Sequence, residues 1–273
     1  MMFSNCIFYT GRKRNYYVLS LIVSILVVFG VKAAEFPRLD EALPLDIIIL
    51  GQEPVFDFDT DGCYPASGIN RGGGKNPGRS ISGSLGGGCR DENFLNTSNT
   101  LHRYACMESQ GESYCGHFYS LYFEKDQISW FFGGHRHDWE HVAVWTINGA
   151  ITHGSYSAHG NLKTRALSQL PMQGDHIKFV YHKDGVLTHA FRFANSTELA
   201  ENSYNYWVTP TITSWYQLTG EGISNQSMRN RLNSFDYGSA TIPIKDSNFL
   251  LNLNDARPPG YPAFTQASIE ASR

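Results

Sequence analysis

The chain has 273 residues, of which 41% are apolar and 14% aromatic, which is material for a packed core and too aromatic for intrinsic disorder. Charged residues make up only 17%, below the roughly 25% of ordinary soluble domains, which argues against a long charged coiled coil. The formal net charge of −3 does not suggest a nucleic-acid binder or a polybasic membrane-surface protein.

The predicted elements begin with a leader. Arg12, Lys13 and Arg14 precede an uncharged, almost wholly apolar run over residues 16–31, and Val31-Lys32-Ala33 suits a cleavage site. At about 16 residues the run is short of the ~20 that a membrane helix needs. Residues 1–33 are therefore expected to be a secretory signal peptide, with a signal anchor as the lesser alternative, and residues 34–273 the exported domain. The leader holds four of the 22 basic residues and none of the 25 acidic ones, so the remainder carries 18 against 25, or −7.

Cys6 lies in the leader, which leaves Cys63, Cys89, Cys106 and Cys115. An even count in an exported chain points to disulfides, with three connectivities open. Local pairing, Cys63 with Cys89 and Cys106 with Cys115, is the expectation. No C-x2-C pair supports a zinc cage.

Residues 34–55 read as a lead-in, and 57–92 as an irregular Gly-, Asp-, Ser- and Asn-rich loop that one disulfide would staple. Strands are expected at 118–123, 140–147, 151–156, 176–181 and 187–193, from their β-branched and aromatic residues. Asn148-Gly149 and Asp184-Gly185 join four of them into two hairpins. Helices are expected at 225–233 and at 247–256, the second stopped by Pro258-Pro259. The fold class is mainly β (α+β): a single-domain β-sandwich with flanking helices.

Half of the ten histidines fall between His135 and His159. The densest stretch is Gly134-His135-Arg136-His137-Asp138-Trp139-Glu140-His141. On a helix, His137 to His141 would form the inverted zinc-peptidase pattern H-x-x-E-H. The preceding glycines and the following Val142-Ala143-Val144-Trp145 are instead strand composition. On a strand, Asp138, Glu140, Val142 and Val144 share one face, and Trp139, Ala143 and Trp145 the other. A turn at Gly133-Gly134 can swing His135 beside the two carboxylates. Such a mixed oxygen and nitrogen set suits Ca²⁺, Mg²⁺ or Mn²⁺ better than zinc; the bland alternative is a surface ion-pair cluster with Arg136. Asp57-x-Asp59-x-Asp61-Gly62 is the first half of an EF-hand loop, but Gly68 stands where the closing Glu is required. A half-loop metal site and an Asx turn beside a disulfide both fit it. Asn96, Asn195 and Asn225 lie in N-x-S/T sequons.

Gly134 to Glu140 resembles the complete signature heptapeptide of the necrosis- and ethylene-inducing peptide 1-like proteins. Supporting segments are Tyr119 to Asp126, Ser155 to Gly160, Ile212 to Thr219 and Asp236 to Ala240. In the first, Glu124 stands where the family usually has proline. Cys63 and Cys89 match the family's common disulfide, and Cys106 with Cys115 resembles its four-cysteine subgroup, which carries a second calcium motif.

The resemblance implies a secreted β-sandwich similar to actinoporins and fungal lectins. It implies a non-enzymatic cytolysin that binds glycosyl inositol phosphoryl ceramide sphingolipids of plant plasma membranes and needs Ca²⁺ or Mg²⁺. Carried over residue by residue, the metal ligands are Asp126, His135, Asp138 and Glu140. Arg136, His137, Trp139 and His159 would support the site, and Trp215 and Trp130 would meet the membrane or head group. The loop from Asp126 to Asp138 also holds Phe131 and Phe132, which makes it bulky for the family. A monomer in solution is expected. The alternatives are a non-toxic carbohydrate- or lipid-binding protein or elicitor of the same fold, and, further off, a metal-dependent hydrolase.

Overall fold

A computed structural model describes residues 36–273, so the expected signal peptide and its cleavage site lie outside the described residues. Ten strands run in chain order: β1 (Val55–Phe58), β2 (Asn99–Ser109), β3 (Glu112–Gln127), β4 (Gly134–Ile147), β5 (Ala150–Ala158), β6 (Asn161–Ala166), β7 (Met172–Gln173), β8 (His176–Lys183), β9 (His189–Phe193) and β10 (Thr211–Ser214). Three helices follow: α1 (Asn225–Ser234), α2 (Phe249–Ala256) and α3 (Gln266–Ala271). The large sheet has the order β10-β2-β3-β4-β5-β6, and the small one β1-β8-β7 with β9 on β8. The β10–β2 and β1–β8 pairs are parallel; the other pairs are antiparallel.

Alternation along the central hairpin builds two cores. Tyr119, Leu121 and Phe123 of β3, with Val142 and Val144 of β4, meet Phe56, Phe179, Tyr181 and Phe191 of the small sheet. The opposite face carries Phe118, Tyr122, Trp139, Ala143 and Trp145, which pack beneath Met228 and Leu232 of α1 and Phe249 and Leu253 of α2. The faces expected for Trp139 to Trp145 are those observed. Each large apolar side chain so buried contributes about 1.5–3 kcal/mol of transfer free energy.

The five expected strands all form, but β3 and β4 are longer than expected and reach the chemistry-bearing end of the sheet. The helix-based H-x-x-E-H reading is excluded, because His137 to His141 lie within β4. Both expected helices form, and α3 was not expected. Its Thr265 and Ser268 close a reciprocal capping box. The local disulfides are present: Cys63 to Cys89, and Cys106 to Cys115 between directly opposed residues of β2 and β3. Among the described residues no helix is long and apolar enough to cross a membrane.

Candidate functional site

The site is built at the tip of the β3–β4 hairpin. Asp126 lies directly opposite His135, and Phe123 opposite Asp138. The turn between them is tied by the Ile128 N–H to the Gly133 carbonyl and by Ser129 Oγ, which accepts from the N–H groups of Phe131 and Phe132. Gly134 is required: its φ is +111°, and a Cβ there would fall 2.1 Å from the Asp126 carbonyl oxygen.

Strict alternation would place Asp126 on the face of Phe118 and Tyr122, away from Asp138. The ladder instead skips the Glu124–His137 rung, and His137 has a left-handed backbone with φ 66°. Such a conformation costs a non-glycine residue about 1–3 kcal/mol and persists only where packing enforces it. His137 is enforced. It is buried, its Nδ1 lies 2.6 Å from the Tyr122 hydroxyl, and Tyr237 packs edge-on against it. Beyond this irregularity His135 and Asp126 join Asp138 on the small-sheet side. Asp126, His135 and Asp138 each present a ligand atom within 4.8 Å of the others.

The proton on His135 follows from its partner. Nδ1 lies 2.6 Å from the His137 carbonyl oxygen, and a carbonyl only accepts, so Nδ1 donates and Nε2 keeps its lone pair. Asp138 accepts from the Tyr181 hydroxyl at 3.0 Å. Its pKa is pushed up to about 7, first by burial and then by the Asp126 charge. Glu140 is held well above the carboxylate range by burial and by Asp138. It also accepts from Ser157 Oγ, and its carboxylate lies outside the three-residue cluster.

Among the described residues no Lys or Arg forms an ion pair with Asp138 or Glu140. Buried acids in this state resist joint ionisation, and a dication relieves that repulsion. The donors are hard oxygens and one imidazole, so the residues fit Ca²⁺ or Mg²⁺. They face a cavity of about 260 Å³ that is also lined by His159, Gly160, Thr188 and His189.

His189 is a site residue that sequence reasoning missed. Its Nδ1 lies 2.6 Å from Asp126 Oδ1, and its backbone N–H reaches both oxygens of the same carboxylate. It stands 63 residues from Asp126, in a strand with no motif of its own. His159 lines the cavity, with Nε2 3.1 Å from Asp184 Oδ2. Trp139 lines it too and packs on Tyr122 and Tyr237. Arg136 is exposed and points to the Pro77 carbonyl at 3.4 Å rather than into the cavity.

The Asp57, Asp59 and Asp61 carboxylates do not converge. Asp57 is fully buried and accepts from the backbone of Glu201 and Asn202 and from Asn202 Nδ2. Asp59 faces Arg192 at 3.9 Å, with its pKa raised to about 6 mainly by burial. Asp61 lies 3.4 Å from His189 Nε2. The Asp126 cluster is the one such group of three metal-ligating side chains among the described residues.

Trp215 must be corrected. It is fully buried in the helix-side core, with Arg103 over its ring, so it packs rather than meeting a membrane. Trp130 is 62% exposed, and Phe131 and Phe132 are 91% and 71% exposed. The Asn225 sequon is also structural, since its amide donates to the Trp215 and Leu218 carbonyls.

Comparison with known proteins agrees with this geometry. The family model NPP1, necrosis inducing protein, matches residues 49–256. NLP effector protein 10 of Phytophthora capsici is 30% identical over 203 residues, which are 72% of this chain and 77% of the relative. A solved structure described as a toxin fold as the basis for microbial attack and plant defense superposes with a TM-score of 0.66 at 27% identity, covering 81% of this chain and 96% of that one. NLPPya in complex with mannosamine superposes at 0.65, with 27% identity and coverage of 84% and 96%. The match of sequence over most of the chain, on a shared toxin fold, places this chain in the necrosis-inducing NPP1 family of effector proteins.

Proposed function

We propose that this chain is a secreted, divalent-cation-dependent cytolysin that binds the sugar head group of plant plasma-membrane sphingolipids and permeabilises the membrane without enzymatic chemistry. The observation that carries the reading is the convergence of Asp126, His135 and Asp138 on one open cavity, with no Lys or Arg paired to Asp138 or Glu140 among the described residues. Asp126, His135 and Asp138 would hold Ca²⁺ or Mg²⁺, with Glu140 beside them. A bound cation supplies an electrostatic anchor for a sugar hydroxyl or phosphate oxygen. The NLPPya complex with mannosamine supports a sugar as ligand. His135 keeps an acceptor nitrogen, Tyr181 fixes Asp138, and His189 fixes Asp126. The exposed aromatics at 130–132 suit the bilayer interface, where Trp is at home. Residues 1–33 serve as the signal peptide, and the rest acts at the host cell surface.

The test is dye release from vesicles of plant plasma-membrane lipid, with Ca²⁺ or with EDTA, and from vesicles lacking the inositol sphingolipid. Release is expected only with both cation and sphingolipid, and Asp138→Asn is expected to abolish it with the circular dichroism spectrum unchanged. Release that persists in EDTA and in Asp138→Asn would sink the cation mechanism. Binding without release would make the chain a head-group-binding module.

A further inference from the structure

We propose that a second polar cleft, floored by His141 and walled by Asn161, Asn252 and Asp255, takes a second hydroxyl-rich ring of the ligand whose first ring occupies the Asp126–His135–Asp138 cavity. The inference rests on the reading of that cavity as a sugar site.

The cleft has a volume of about 280 Å³ and is also lined by Ser157 and Gly160. It lies between β5, β6 and α2. Gly160 lines both clefts, at the turn between β5 and β6. Two hydrogen bonds join their linings: Ser157, on the second cleft, donates its Oγ proton to Glu140, on the first, and Asn161, on the second, donates its amide N–H to the carbonyl of His159, on the first, at 3.4 Å. Small-molecule sites usually measure about 300–1,000 Å³. Each cleft alone falls just below that range, and the two taken together fall inside it.

The lining has unspent hydrogen-bonding capacity. His141 is only 6% exposed, yet its Nε2 has no partner among the described residues. Its ring is stacked on Phe118 with centroids 5.4 Å apart. A buried polar atom without a partner is costly, at about 1–3 kcal/mol, unless something else satisfies it. Asn252 donates its amide N–H to the Pro243 carbonyl at 2.8 Å, and its Oδ1 accepts no hydrogen bond among the described residues. Asp255 is exposed and forms no ion pair among the described residues.

A carboxylate and an amide oxygen accept, so the ligand must donate. Hydroxyl and amino groups of a sugar ring meet that demand. Phosphate and carboxylate groups do not, because Asp255 repels them. The second cleft therefore selects a neutral or amino sugar and extends recognition from one ring to two.

The test is calorimetric titration of the exported chain in Ca²⁺ with mannosamine and with a panel of hexose and hexosamine disaccharides of differing linkage. At least one disaccharide is expected to bind ten-fold or more tightly than mannosamine. Asp255→Ala and Asn161→Ala, both at exposed positions, are expected to erase that gain and leave mannosamine affinity unchanged. If mannosamine binds and no disaccharide gains, or if the gain survives both substitutions, the second subsite is overturned while the first stands. If no sugar binds in Ca²⁺, the sugar reading of the first cavity falls and this inference falls with it.

Discussion

His189 grips Asp126 twice, through an imidazole nitrogen 2.6 Å from Oδ1 and through a backbone N–H that reaches both oxygens at 3.1 and 2.9 Å. The side chain of the small sheet thus orients a carboxylate of the large one. Groups that orient a metal ligand from behind typically matter about 10- to 100-fold in metal affinity. His189→Ala is expected to weaken Ca²⁺ binding by that factor, measured by calorimetry, with the far-ultraviolet spectrum preserved. Unchanged affinity would show that Asp126 needs no such support.

The turn glycines separate sterics from backbone preference. Gly134 and Gly149 both have positive φ, at +111° and +82°, but a Cβ at Gly134 collides with the Asp126 carbonyl whereas one at Gly149 meets open space. Gly134→Ala is expected to cost at least about 2 kcal/mol in urea denaturation, and Gly149→Ala about 1 kcal/mol. Equal costs would remove the argument that the heptapeptide glycine makes room for the ligand strand.

The aromatic tip at 130–132 is exposed and so contributes little to folding. Trp130→Ser with Phe131→Ser is expected to leave stability within about 0.5 kcal/mol and to cut dye release at least ten-fold. Tryptophan emission of the unsubstituted chain is expected to shift blue on vesicles. Full lysis by the double variant would exclude this tip as the membrane contact.

Acid should weaken the fold through buried histidines. Burial pushes His117 down to about 4 and His141 down to about 3, against 6.5 in the unfolded chain. Folded-state pKa values below the unfolded one leave stability intact above pH 6.5 and remove it as the pH falls towards 4. Asp138 works in the opposite sense, because its raised pKa of about 7 favours the folded state as the pH falls from 7 towards 3.8. Comparing the chain with His117→Gln at pH 7.5 and pH 5 isolates the histidine contribution. The deficit of the variant is expected to shrink or reverse at pH 5, and a constant deficit would refute it.

What was legible from the sequence follows period and adjacency. Asp138 and Glu140 share a face with Val142 and Val144, and simple alternation says so. The Cys106–Cys115 bridge joins close neighbours in the chain. His189 was illegible because its partnership with Asp126 depends on two sheets packing across 63 residues. The left-handed His137 was illegible because only the packing of Tyr122 and Tyr237 enforces it. β3 was underestimated for a related reason: both faces are buried, so a 16-residue strand shows no clean polar alternation to mark its ends. The membrane role that the family resemblance carried over to Trp215 does not hold, because a motif match does not say whether an aromatic points out or in.

The origin of the four pieces of the candidate cation site, Asp126, His135, Asp138 and His189, also sets an order of assembly. Asp126, His135 and Asp138 come from one local hairpin, and hairpins close in microseconds. His189 arrives from the other sheet, whose β1–β8 pairing joins residues as far apart in the chain as Val55 and Lys178 and forms slowly for reasons of loop closure. The proposed cation site can therefore be drafted early and tightened only when the two sheets dock. Calcium affinity in a refolding chain would act as a clock for sandwich closure, rising in two steps rather than one.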